Sequence, residues 1–137
     1  MGKRLRRARQ FIRDVRDDEP DPLYFVYGEE GYLLDRAVET ILESAVPEEE
    51  RNDFNFDEYR GRSASGEDVL ESVEMLPMMV QRRAVVVRDL QEMPTTELAE
   101  LEKYFEDPSS KTCLVLHART SDDAAPLDMN SGVVRTL

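Results

Sequence analysis

The sequence is short of the residues on which several classes of protein depend. Its 137 residues include one cysteine, Cys113, and one histidine, His117. A single cysteine excludes an internal disulfide and is typical of a reducing compartment. No apolar run approaches the ~20 residues that span a bilayer, and the basic start lacks the apolar segment of a secretory signal. We therefore predict a cytoplasmic protein that does not bind membranes.

Recognisable metal and catalytic clusters are also missing from the sequence. No Asp-x-Asp pair or group of histidine and aspartate marks a metal site. Cys113 and His117 would lie about 13 Å apart in one strand, which is too far for a nucleophile and its base. We interpret Cys113 as a core residue and His117 as the polar end of a strand, the alternative being a catalytic residue there. We therefore expect no catalytic residue, no metal and no cofactor.

Negative charge is abundant in the chain and unevenly distributed. The formal net charge is −12, and charged residues make up 35% of the sequence. Seven of the first 16 residues are lysine or arginine, whereas the chain from Pro20 onward has 11 basic and 26 acidic side chains, a balance of −15. Such an acidic body repels nucleic acid, so any contact with phosphates would come from the basic start.

Residues 1–19 are predicted to be separate from the domain that follows. Residues 5–16 place apolar side chains at helical spacing with arginines mostly on the other side, and an acidic, proline-containing linker follows. We predict an amphipathic helix that either packs on the domain surface or touches nucleic acid. The candidate nucleic-acid contacts are Arg4, Arg6, Arg7, Arg9 and Arg13.

Residues 20–137 are predicted to form one α/β domain. Apolar runs typical of buried strands cover residues 23–27, 84–87 and 112–116, and alternating aromatics at 54–59 indicate a half-buried edge strand. Helical spacing covers residues 30–45, a stretch at 66–75 capped by Ser65, and a stretch capped by Thr95 or Thr96. This alternation predicts a three-layer α/β fold with a parallel sheet of about four strands.

The turn after the first predicted strand lies where a nucleotide-binding α/β protein holds phosphate. It reads Gly28-Glu29-Glu30-Gly31 and lacks the long glycine-rich turn, the lysine and the Ser/Thr of a phosphate loop. Two carboxylates suit a helix N-terminus, but they repel phosphate. We interpret them as an acidic cap, the alternative being a metal-binding carboxylate pair.

One loop is unusually apolar, since it reads Met75-Leu76-Pro77-Met78-Met79-Val80. Pro77 prevents the preceding helix from continuing through it. Exposed methionines suit the apolar pocket of a partner, whereas burial under the neighbouring helix is the alternative. The residues alone leave both interpretations open.

In this order, the segments resemble the delta-subunit family of the bacterial DNA polymerase III clamp loader. The resemblance begins in residues 24–30 followed by Leu33-Leu34. It continues in Leu76-Pro77-Met78-Met79 leading through Gln81-Arg82-Arg83 into residues 84–87, then in residues 98–105, the turn at 107–109, and residues 112–116. It covers roughly residues 20–118. A stretch from Leu127, with Asp128 as its cap, is similar to the start of the family's next helix, so we expect a piece of a longer protein, cut before the later domains.

The resemblance implies a fold similar to the nucleotide-binding domain of AAA+ proteins, with strand order 5-1-4-3-2, a fifth strand largely missing and a degenerate, non-functional phosphate loop. The family inserts two adjacent hydrophobic residues into a pocket on the sliding clamp, its beta subunit. That pair falls on Met78 and Met79, with Leu76 and Val80 as the apolar surround. The implied role is to bind and open the clamp during DNA replication, without chemistry of its own.

Other clamp-loader subunits would attach through the later domains, and DNA contact would be weak or indirect. Two alternatives stay open at this point. One is an atypical nucleotide-binding enzyme domain, which ATP or GTP binding would identify. The other is an acidic protein-interaction domain unrelated to the clamp, which an absence of clamp binding would favour.

Overall fold

The computed structural model describes residues 4–7, 20–77, 81–119 and 133–136. Among these residues, no helix is long and apolar enough to cross a membrane. The strands and helices, in chain order, are β1 (Arg4–Arg7), β2 (Leu23–Gly28), α1 (Gly31–Ala45), β3 (Phe56–Arg60), α2 (Gly66–Glu74), β4 (Arg83–Arg88), α3 (Thr95–Glu102), β5 (Thr112–Arg119) and β6 (Val133–Thr136).

The strands form one sheet of order β1-β6-β2-β5-β4-β3. Neighbours among β2, β5, β4 and β3 run parallel, which confirms the predicted parallel sheet of four strands. The pattern arises because each helix crosses from one parallel strand to the next. If β1 is set aside and the other strands are numbered 1 to 5 in chain order from β2 to β6, their order in the sheet is 5-1-4-3-2, as expected.

Two apolar clusters hold the three layers together. On one face of the sheet, α1 buries Leu34, Val38 and Ile41 against β2, β4 and β5. On the other face, α2 and α3 cover a second cluster that includes Phe25 and Val85. The strands between the two layers are apolar in both directions because both of their faces are buried, whereas the edge strand β3 is only partly buried, as its alternating sequence predicts.

Both ends of the domain differ from the sequence expectations. The helix predicted for residues 5–16 is wrong at its start, since Arg4–Arg7 is a strand paired with Val133–Thr136. The helix predicted from Leu127 is wrong over Val133–Thr136, where β-branched residues favour a strand. The position expected to lack a fifth strand is taken by β6, which runs antiparallel to β2. Residues 8–19 lie outside the described residues.

Helix starts agree with the predictions in one case and differ in another. Ser65 caps α2, because its side chain accepts a hydrogen bond from the Asp68 backbone N–H at 3.0 Å. The cap predicted at Thr95 or Thr96 is wrong, since Pro94 takes that position. Proline has no side-chain oxygen, so the first N–H groups of α3 receive no side-chain cap from that residue.

Candidate functional site

The carboxyl ends of the parallel strands surround a crevice, which is the usual ligand position in an open α/β sheet. It has a volume of about 530 Å³ and is lined by charged side chains from β3, β4 and β5 and by the start of α1. The side chains that decide its character are Asp35, Glu58, Arg88, Asp89, His117 and Arg119. Both acidic and basic groups line it.

The turn from β2 into α1 is too short to cradle a phosphate. Only Glu29 and Glu30 separate the end of β2 at Gly28 from the start of α1 at Gly31, and both side chains are exposed. Glu30 is the N-cap of α1, without a hydrogen bond from its side chain. The guanidinium of Arg119 lies against Gly31, so close that a Cβ there would be 3.2 Å from Nη1. The guanidinium of Arg119 therefore lies beside the first residue of α1.

His117 lies deeper in the sheet than a strand end, because β5 continues to Arg119. Its Nδ1 accepts a hydrogen bond from the Asp89 backbone N–H at 3.1 Å, and its Nε2 is 3.8 Å from Oδ1 of Asp35. Burial lowers the pKa of His117, while the nearby carboxylate of Asp89 opposes that shift. The neutral imidazole therefore serves as a buried hydrogen-bond acceptor.

The charges around His117 are paired with one another. Arg88 lies 3.7 Å from Asp35 and 3.5 Å from Glu58, and Arg60 lies 3.4 Å from Asp89. Such mutual compensation leaves little net attraction for an anion. Within the described part of the chain, no three His, Cys, Asp or Glu side chains are grouped to hold a metal ion.

Cys113 is confirmed as a core residue. Its side chain is fully buried in β5. Burial raises the pKa of its thiol to about 12, so the nucleophilic thiolate is not populated near neutral pH.

The apolar loop begins where α2 ends, at the opposite end of the sheet. The helix stops at Glu74, one residue earlier than predicted, because Met75 adopts an extended conformation. Met75 is 47% exposed and Leu76 is 68% exposed. Met78, Met79 and Val80 lie outside the described residues, so their exposure stays a prediction.

The surface beside Leu76 is an open groove of about 880 Å³. Leu70 and Leu76 form its wall on the side of α2, and residues 107–111 form the other wall. Tyr104 shapes that second wall, because its hydroxyl accepts a hydrogen bond from the Ser109 backbone N–H at 2.9 Å. Leu76 is therefore an exposed apolar side chain next to a preformed hollow.

Three of the candidate nucleic-acid contacts lie on a described strand, and two do not. Arg4, Arg6 and Arg7 lie on β1, at the sheet edge farthest from β3. Arg9 and Arg13 fall outside the described residues. Contact between this segment and nucleic acid stays a prediction.

Sequence reasoning overlooked one residue at the base of the apolar loop. Arg83 is the first residue of β4, and only 1% of it is exposed. It is joined to Asp57 of β3 and Ser72 of α2. The available signal was its position next to a continuous valine run, where an unpaired charge would not be tolerated.

The fold and the crevice define an AAA+-like α/β domain with a degenerate phosphate loop. A RuvB variant from Thermotoga maritima superimposes with a TM-score of 0.51 at 11% identity, covering 89% of this chain and 39% of its own. A DNA polymerase III gamma subunit-related protein from the same organism gives 0.61 at 18% identity, covering 83% and 40%. These two likenesses concern the fold alone.

More specific comparisons identify the family. The family model described as DNA polymerase III, delta subunit, matches residues 24–127. The chain belongs to this family. It is 28% identical to the DNA polymerase III subunit delta of Bacillus subtilis over 114 residues, 77% of this chain and 33% of that protein. The structure of the Bacillus subtilis DNA clamp loader delta protein gives a TM-score of 0.73 at 27% identity, over 88% of this chain and 38% of that one. The chain thus spans about a third of the length of the curated relative.

Proposed function

We propose that this domain binds the bacterial sliding clamp, the beta subunit, and helps to open it during clamp loading in DNA replication. The contact residues would be Met78 and Met79, with Leu76 and Val80 around them. The observation that carries the proposal is Leu76, which is 68% exposed beside the half-exposed Met75. Contiguous apolar side chains left in water between two buried elements are typical of a protein-binding surface.

Family membership supports the same function. The matching structure from Bacillus subtilis is described as a clamp loader protein, and the apolar pair predicted from the sequence falls in the loop before β4. The short turn before α1 favours a binding role over nucleotide chemistry, because it carries Glu29 and Glu30 and lacks the lysine and Ser/Thr of a phosphate loop. Contacts with other clamp-loader subunits would use the remaining two thirds of the subunit, with DNA held indirectly and the complex acting in the cytoplasm.

The proposed mechanism is mechanical. Burial of two methionine side chains in a clamp pocket offers on the order of 3–5 kcal/mol before the entropic cost of association. Methionine suits such a pocket because its flexible thioether adapts to irregular shapes. Binding that is tighter to the open ring than to the closed ring shifts the clamp population toward the open form.

The test is calorimetric titration of this domain with purified bacterial sliding clamp. The parent is compared with a Met78→Ala/Met79→Ala double variant and a Leu76→Ala variant. We expect the double variant to lose at least 100-fold in affinity and Leu76→Ala to lose about fivefold, since Leu76 lies beside the main contact.

The matched control is Tyr32→Ala. Tyr32 is 78% exposed and lies at the start of α1, at the other end of the sheet. Its removal should leave the affinity within twofold of the parent. Absence of binding by the folded parent, or an equal loss in the Tyr32 variant, would contradict the proposed site.

A further inference from the structure

A buried arginine joins the two ends of the apolar loop. Arg83 opens β4, where the chain returns from the loop, and its side chain is 1% exposed. Ser72 lies in the last turn of α2, where the chain departs. Nε of Arg83 donates to the Ser72 carbonyl oxygen at 2.9 Å, and Nη2 donates to the Ser72 hydroxyl at 3.2 Å. These bonds close a segment of the chain across 11 positions.

The same guanidinium also attaches the loop to the sheet edge. Nη1 of Arg83 donates to the Phe54 carbonyl oxygen just before β3. Nη2 donates to Oδ2 of Asp57 within β3, and that oxygen also accepts a hydrogen bond from the Ser72 hydroxyl. One side chain thus contacts α2, the approach to β3, and β3 itself.

Only arginine can make this set of contacts from one position. Its planar fork presents five donors in fixed directions, whereas lysine presents one point charge on a flexible stem. The core around β4 is otherwise apolar, with Ala84, Val85, Val86 and Val87 fully buried. Because apolar residues at such sites often give equal or greater stability, stability alone does not account for a charged side chain there.

We propose that Arg83 is a positioning residue that holds the end of α2 against the start of β4, and thereby presents Met75 and Leu76 to the clamp. The inference rests on the proposed function. The bonds of Arg83 to Ser72 hold the last turn of α2, which Met75 and Leu76 follow directly. A surface already held in its binding shape loses less entropy on association, so affinity rises without a new contact to the partner.

The experiment compares Arg83→Lys and Arg83→Met with the parent in two measurements on the folded domain. The first is calorimetric affinity for the sliding clamp. The second is amide hydrogen exchange at Leu76 and Gln81, which flank the part of the loop outside the described residues. We expect at least a fivefold loss of affinity for Arg83→Lys and a larger loss for Arg83→Met, with faster exchange at both amides.

The control is Leu34→Ala, which removes a fully buried side chain from α1 on the opposite face of the sheet. It lowers the thermal midpoint without touching the loop. All variants are compared at a temperature where circular dichroism reports them fully folded. The control should keep its clamp affinity within twofold and its Leu76 exchange unchanged. Effects seen in the Arg83 variants but not in this control would therefore not come from a general loss of stability.

The outcomes separate this inference from the function on which it rests. If the parent binds and both Arg83 variants bind equally well, the positioning role is wrong and the proposed function stands. If the parent does not bind the clamp, the proposed function fails. In that case hydrogen exchange still tests the positioning role of Arg83. Unchanged exchange at Leu76 in both Arg83 variants would overturn that role.

Discussion

Removal of the Arg83 side chain should destabilise the domain much more than removal of an exposed arginine. In Arg83→Met, the carboxylate of Asp57 and the carbonyl oxygens of Ser72 and Phe54 lose their shared donor. Loss of one partner from a fully buried ion pair costs about 3–5 kcal/mol. Asp57 is 33% exposed, so water partly replaces the lost donor, and we expect about 3 kcal/mol. That is a large share of the roughly 5–15 kcal/mol that holds a domain of this kind together.

The assay is urea unfolding at pH 7, followed by circular dichroism, for the parent, Arg83→Met, Asp57→Asn and the double variant. Because the two side chains interact directly, the double variant should lose less than the sum of the single losses, with a coupling of about 1–3 kcal/mol. Arg62→Met is the control. Its side chain is 80% exposed and its Nη2 lies 3.0 Å from Oε1 of Glu92, and such surface pairs contribute about 0–1 kcal/mol.

Two results would refute this reasoning. A loss below about 1 kcal/mol for Arg83→Met would mean that the buried bonds contribute no more than a surface pair. Strict additivity in the double variant would mean that Arg83 and Asp57 do not interact in solution.

Two further predictions concern buried titratable groups. The pKa of His117 is lowered below 6.5 by burial, so the unfolded chain binds its proton more readily, and the unfolding free energy should fall as pH drops from 7.5 to 5.5. His117→Asn, whose side-chain oxygen can still accept from the Asp89 N–H, should show a smaller loss in urea unfolding over that range; an equal loss would contradict the assignment. Burial raises the pKa of Cys113 to about 12. At pH 8, a thiol reagent should therefore label the folded domain at least 100-fold more slowly than the urea-unfolded chain. Labelling rates within tenfold of each other would argue against a closed core.

The central elements could be predicted because local pattern and tertiary environment agree there. The valine run of β4 is apolar in both directions, and layers on both faces of the sheet do cover it. The spacing in α1 likewise matches the side chains that it buries. Structure can be predicted from sequence where the local pattern and the tertiary environment favour the same element.

The ends of the domain could not be predicted because their structure depends on distant partners. Arg4–Arg7 is a strand through its pairing with Val133–Thr136, at the other end of the chain. No residue near position 5 indicates that pairing. The apolar side chains at helical spacing therefore led to the prediction of a helix. Tertiary context commonly overrides weak local preference in short segments.

Part of the candidate site could likewise be predicted from the sequence, and part could not. The apolar composition of the loop is visible in the sequence, and so is the absence of a phosphate-binding lysine. The bonds of Arg83 are not, since Asp57 and Ser72 come from two other elements and only the folded sheet brings them together. Burial of a charge depends on three-dimensional neighbours that no local pattern specifies.

The contact between Arg119 and Gly31 bears on how a phosphate-binding turn could be built into this crevice. Insertion of a lysine and a threonine after Gly28 would supply the residues of a phosphate loop, but the guanidinium of Arg119 would still lie against Gly31, the first residue of α1. The two-residue connection would also have to lengthen, and Glu29 and Glu30 would have to be replaced, before a phosphate could approach. Each change alone leaves the others as obstacles. A complete phosphate-loop sequence therefore takes several changes together, and we expect no single substitution in this turn to raise the affinity for ATP.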